Sequence, residues 1–158
     1  MGFIERSVEL AAPIERVFAF HLDTRNAAKI SPPDTQVVRV EGEFPLVEGA
    51  EVRLTVRQRP LPFAQTWRIR IERVSEPTAV VDVMLSGPFA AWRHEHLFAD
   101  LGDGRTRMTD RVSYRAPLGP LGALADRLVL HRLLERSFRI RHELTRAVFE
   151  TSATDRSR

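Results

Sequence analysis

Apolar residues in this chain recur first at a two-residue period, then at a helical one, then at a two-residue one again, and finish on a long helical run. Residues 3–10 read as a first strand, and Ala11-Ala12-Pro13 then places a proline where the first turn of a helix tolerates it. Ile14, Val17, Phe18 and Leu22 follow at helical spacing, and a second short helical piece at 24–30 stops at Ser31-Pro32-Pro33. Six further strands are predicted at 36–41, 51–59, 63–74, 78–86, 89–101 and 106–116, separated by glycine, proline or acidic turn residues. Joined as hairpins, the strands are antiparallel. Pro117-Leu118-Gly119-Pro120-Leu121-Gly122 breaks the sheet, and 124–149 then holds neither glycine nor proline, which predicts about seven turns of unbroken helix. Leu130, Leu134, Phe138, Leu144 and Val148 fall on one side of it, while Arg132, Arg136, Arg139, Glu143 and Arg146 make a solvated face. The class is α+β, with seven antiparallel strands, two short helices after strand 1 and a long C-terminal helix. One domain is expected over 1–150, with 151–158 as a disordered tail.

Two hairpins fix the expected inner face of the sheet. With Gly102-Asp103-Gly104 as a three-residue loop, Phe98 pairs with Met108, His96 with Asp110, His94 with Val112 and Trp92 with Tyr114, and an outer salt pair joins Glu95 to Arg111. Around Ser75-Glu76-Pro77, pairing Ile71 with Val81, Ile69 with Val83 and Trp67 with Leu85 sets Arg70 opposite Asp82 on the outside. The inward set then also includes Val52, Leu54, Val56, Phe63 and Gln65. His94, His96, Gln65, Asp110 and Tyr114 make this face too polar for solid packing, since each buried polar group needs a partner or water. Apolar walls with a few convergent polar groups predict a ligand pocket.

Composition removes several chemistries. The 158 residues contain no cysteine, which excludes disulfides, thiolate nucleophiles and cysteine-bound zinc. No secretory signal pattern or long apolar run is present, so a cytoplasmic protein without integral membrane association is expected. The 24 basic residues exceed the 21 acidic ones by only three, and the arginines are interleaved with acids rather than gathered in a stripe, so no nucleic-acid partner is expected.

Gly87-Pro88-Phe89, Trp92-Arg93-His94-Glu95-His96-Leu97-Phe98, Gly104-Arg105-Thr106-Arg107-Met108-Thr109-Asp110-Arg111-Val112 and the proline-glycine segment at 117–122 resemble the bacterial ligand-binding branch of the START/Bet v 1-like superfamily, also labelled SRPBCC or polyketide cyclase/dehydrase. The order of elements matches along nearly the whole chain. The resemblance implies the helix-grip fold, in which a curved sheet wraps the last helix around a deep hydrophobic cavity. Relatives include lipid carriers, hormone receptors, ubiquinone-binding proteins and a minority of cyclases, so it implies no single activity.

Trp67, Trp92, His94, His96, Phe98, Asp110, Tyr114, Leu134, Phe138 and Arg141 are the candidate ligand-binding residues. Arg141 lies within the apolar face of the last helix and needs a counter-charge: either Asp110, the expected partner, or a ligand carboxylate. His96 with Asp110 can form an oriented base, and Tyr114 can donate to an enolate, so these three are the catalytic candidates. His94, His96 and Asp110 are weighed as metal ligands and set aside, because no further histidine or glutamate is placed on a neighbouring strand; neither metal nor cofactor is expected. His21 is placed at a helix edge, and His131 and His142 beside the apolar stripe without partners. The leading expectation is binding or transport of a small hydrophobic ligand, such as a lipid, isoprenoid or aromatic polyketide, by a monomer or homodimer. The alternatives are a cyclase or dehydratase using the His/Asp pair and a regulatory module that binds a partner protein through its surface.

Overall fold

The computed structural model describes residues 1–125 and 129–154. Seven antiparallel strands form one sheet: β1 (Gly2–Leu10), β2 (Thr35–Glu41), β3 (Glu51–Gln58), β4 (Ala64–Ser75), β5 (Ala79–Ser86), β6 (Ala91–Gly102) and β7 (Arg105–Arg115). Their spatial order is β1-β7-β6-β5-β4-β3-β2, so the chain's first strand closes against its last and the others run as a meander. Between β1 and β2 lie α1 (Ile14–His21) and a 3-10 helix (Thr24–Lys29). Pro13 caps α1, and Asp23 caps the 3-10 helix by accepting from the Arg25 backbone N–H at 3.0 Å. After β7 come α2 (Gly119–Ala125) and α3 (His131–Thr154), the latter packed along β1. The curled sheet holding a C-terminal helix is the helix-grip architecture.

The C-terminal helix differs from expectation at both ends. The segment at 117–122 does not only break the sheet: Gly119 begins α2 with a φ of 55°, and Pro120 sits in its first turn, where the missing N–H has no intrahelical partner to lose. α3 begins at His131 directly after a π-helical turn at 129–130, and part of the run expected from 124, residues 126–128, lies outside the described residues. At the other end α3 continues through Thr154, into the expected tail, whose remainder at 155–158 also lies outside the described residues.

The β6–β7 register is the expected one, from Trp92 opposite Tyr114 to Phe98 opposite Met108. Its turn is tighter than expected. Asp103 and Gly104 alone form the loop, both at positive φ, and a bulge at Leu101 absorbs the odd residue. Glu95 does face Arg111, yet the ion pair forms elsewhere: β7 lies between two strands, and Arg111 bonds Glu5 on β1 at 2.6 Å.

The β4–β5 register is not the expected one. Glu72 is a bulge, two β4 residues from Ile71 to Arg73 standing against one step of β5, so Ile71 pairs with Asp82 and Arg70 with Val83. One residue of slip exchanges the two faces of a strand. Asp82 therefore points inward instead of meeting Arg70, which bonds Glu51 of β3 at 3.0 Å. Phe63 lies before β4 and is exposed, not inward.

Two apolar clusters fill the grip. The larger joins Val8, Leu10, Phe18, Val52, Leu54, Ile71, Phe98 and Met108 to Phe149 of α3; the smaller joins Ile4, Val112 and Tyr114 to Phe138. Along β6 and β7 the inward positions between the two clusters are polar: His94, His96 and Asp110.

Candidate functional site

Asp110 is the centre of the polar layer, with 1% of its surface exposed. Its Oδ1 lies 2.7 Å from His96 Nδ1 and 3.1 Å from His94 Nε2, and its Oδ2 lies 2.8 Å from Nε2 of His142 on α3. Burial alone would raise its pKa; His96 and His94, with hydrogen bonds from His142 and His94, outweigh burial and hold the carboxyl well below the usual range. A carboxylate only accepts, so each of the three facing nitrogens carries a proton. Burial also lowers the pKa of His94 and His96, keeping both rings neutral. Their opposite nitrogens, Nδ1 of His94 and Nε2 of His96, are then lone pairs.

Both lone pairs face Asp82 Oδ2, at 3.7 Å and 3.8 Å. Burial raises the Asp82 pKa to about 6. His21 completes the group. Its ring lies 5.3 Å from that of His96, its Nδ1 donates to the Val17 carbonyl at 2.8 Å, and its buried Nε2 has no partner. Burial first, then His96, lowers its pKa to about 3.

A cavity of about 140 Å³ opens beside these groups, walled by the sheet, the 3-10 helix and α3. Of the sequence-based candidates, Trp67, Trp92, His94, His96, Phe138 and Arg141 line it. Phe98 instead packs edge-on against Phe18 in the larger cluster, and Asp110 stands behind the two histidines. Tyr114 is buried in the smaller cluster with its hydroxyl 3.1 Å from His131 Nδ1, and Leu134 packs there too; neither is on the cavity wall. The wall also contains residues that sequence reasoning missed, chiefly Asp82, His21, Asn26 and Phe89.

Arg141 does not pair with Asp110. His142, one residue on, occupies that position, and the Arg141 Nε is buried without a hydrogen-bond partner on the cavity wall. His142 is thus the missed partner of Asp110. A helical residue four positions after the inward Phe138 faces the sheet, and that spacing was the available signal. His21, four positions after Val17, is buried by the same spacing rather than lying at an edge.

The fold and cavity define a helix-grip protein with a polar layer at the cavity wall. The family model for polyketide cyclase/dehydrase and lipid transport proteins matches residues 1–150, and the chain belongs to that family. Among solved structures, the Zhui aromatase/cyclase from Streptomyces sp. R1128 is similar at a TM-score of 0.70 and 22% identity, over 94% of this chain and 93% of that one. The di-domain aromatase/cyclase StfQ of the steffimycin biosynthetic pathway is similar at 0.74 and 16%, over 96% of this chain and 52% of that one. Protein Ms6760 from Mycobacterium smegmatis is similar at 0.67 and 20%, over 92% and 89%. No curated protein matches the chain. Among the described residues no helix is long and apolar enough to cross a membrane.

Proposed function

We propose that the protein binds a small ligand with an apolar, ring-sized body and an anionic or carbonyl oxygen, which Arg141 receives. The observation that carries this reading is the Arg141 guanidinium, whose Nε is buried without a partner on the wall of an otherwise mostly apolar cavity. Such a charge is costly to desolvate unless something pairs with it. At about 140 Å³ the cavity is close to the size that accepts a single benzene-like ring, which favours an aromatic unit over a full lipid or polyisoprenoid chain. Trp92, stacked on Phe138 with ring centroids 6.3 Å apart, supplies a flat wall for it.

Arg141→Met separates a ligand role from a structural one. The variant is expected to keep or slightly raise its stability and to lose about 10- to 100-fold in affinity for the molecule that co-purifies with the parent, read by native mass spectrometry and titration. Unchanged affinity, or a chain that no longer folds, would overturn the reading.

A second reading, chemistry of the cyclase or dehydratase type, is favoured by one observation: two neutral imidazoles, both oriented by Asp110, present lone pairs beside the cavity. His96 is then the base that removes a proton next to a ligand carbonyl. The two aromatase/cyclase neighbours and the family description support it. Tyr114, held by His131 away from the cavity, has no part in it. Turnover of a poly-β-ketone mimic that His96→Gln abolishes, while binding persists, is the result expected; undiminished turnover would remove His96 from the role.

A further inference from the structure

Three acceptors meet at the cavity wall with no donor among them. Because the Asp110 carboxylate takes the N–H of His94 Nε2 and of His96 Nδ1, the atoms left facing inward are His94 Nδ1, His96 Nε2 and Asp82 Oδ2. The carboxylate oxygen lies 3.7 Å and 3.8 Å from the two nitrogens, and all three atoms are within 4.8 Å of one another. Three acceptor atoms this close, shielded from water, repel unless a cation or a proton lies between them. We infer that Asp82, His94 and His96 form a site for one first-row divalent transition metal ion, of the zinc or iron(II) type.

Donor chemistry, spacing and surroundings agree. Two imidazoles and one carboxylate leave a divalent ion with open positions, the ligand set of catalytic zinc and of non-haem iron(II) sites. Tetrahedral ligands at about 2.1 Å from a metal lie roughly 3.4 Å apart, so a contraction of a few tenths of an ångström closes the two measured edges. Asp110 meets the second requirement of such sites. Ligating histidines are oriented by a carboxylate on the opposite ring nitrogen, and here one carboxylate orients both, itself fixed by His142. His21 is an independent pointer: a buried imidazole on the same cavity wall, touching His96, with a ring nitrogen that nothing in the protein satisfies. Arg141, also on that wall, opposes the cation. Together with the two carboxylates it leaves the site one negative charge before an ion enters. Asp82, His94 and His96 all line the cavity, so a ligand oxygen bound there would be within reach of an ion they held.

The inference does not depend on Arg141 receiving a ligand, and its test uses the metal alone. Chelator-stripped full-length protein is titrated with Zn²⁺ by calorimetry and with Co²⁺ by visible absorption. One equivalent is expected to bind, with the d–d bands of a low-coordinate Co²⁺ and a metal-dependent rise in Tm. Asp82→Asn preserves shape and removes a ligand, and is expected to weaken binding by about 100-fold or more; Asp110→Asn, which leaves the three ligands in place, by about 10- to 100-fold. Glu135→Gln removes an exposed carboxylate 3.8 Å from His131, the competing surface site, and is expected to change nothing. No uptake by the parent protein, or uptake that Asp82→Asn leaves intact, would overturn the inference. A circular-dichroism spectrum matching the parent's shows that each variant is folded when it is titrated.

Discussion

Asp110→Ala is expected to lower stability by about 3–5 kcal/mol at pH 7, and to do so although it removes one of the most deeply buried charges in the protein. The loss comes from what remains. Three imidazole N–H groups, on His94, His96 and His142, keep their burial and lose their common acceptor, and each orphaned buried donor costs about 1–3 kcal/mol. The three do not simply add, because the rings can rotate or admit water into the space the carboxylate leaves. The effect also reaches beyond the layer. His142 ties the sheet to the inner face of α3 through Asp110, so its release loosens the grip between the two apolar clusters. Urea denaturation measures the change: the midpoint should fall with little change in slope. Asp110→Asn keeps one acceptor oxygen but turns an N–H₂ toward other donors, and is expected to fall between the parent and the alanine variant. An alanine variant within about 0.5 kcal/mol of the parent would mean that the three imidazoles find other partners without cost.

The fold was legible because its signals repeat. Seven strand patterns lie within two residues of the observed bounds, a long C-terminal helix is present although its ends differ, and the β6–β7 register follows from alternation strong enough to exclude a slip. Alternation failed where it was absent. Val80, Val81, Val83, Met84 and Leu85 make β5 apolar on both faces, so the sequence offers no preference for either, and a salt pair from Arg70 to Asp82 was the deciding argument. The bulge at Glu72 overrides it, and bulges leave little trace in composition. The bulge brings Asp82 to the histidines, a carboxylate on a neighbouring strand beyond the His94, His96 and Asp110 set that had been put aside as metal ligands for want of a further partner. Arg141 and His142 show a different limit. Adjacent helical residues point about 100° apart, and periodicity alone does not say which of two neighbours reaches a partner across the gap.

His21→Leu is expected to flatten the acid side of the stability profile. In the folded protein, burial and the nearby His96 lower the His21 pKa to about 3, whereas the unfolded imidazole titrates at 6.5. Between those values the unfolded chain binds a proton that the folded one refuses, so stability falls as pH falls, by about 1.4 kcal/mol per unit and about 5 kcal/mol over the window. His94 and His96, also lowered by burial, act in the same direction. Asp82 acts in the opposite one: with its pKa raised to about 6, the fold binds a proton between about 6 and 4 where the unfolded carboxyl is ionised, and stability rises as pH falls through that range. Asp110, held low, adds its loss only below about 4. At pH 7 the leucine variant should match or exceed the parent, since it removes a buried nitrogen without a partner and leaves an apolar side chain among Phe20 and Phe98. Its advantage should then widen steadily toward pH 4. Urea denaturation of chelator-treated protein at pH 7, 5.5 and 4 gives the comparison. Parallel profiles for the two proteins would show that His21 takes up its proton as readily in the fold as out of it, and that its ring is hydrated rather than sealed beneath α1.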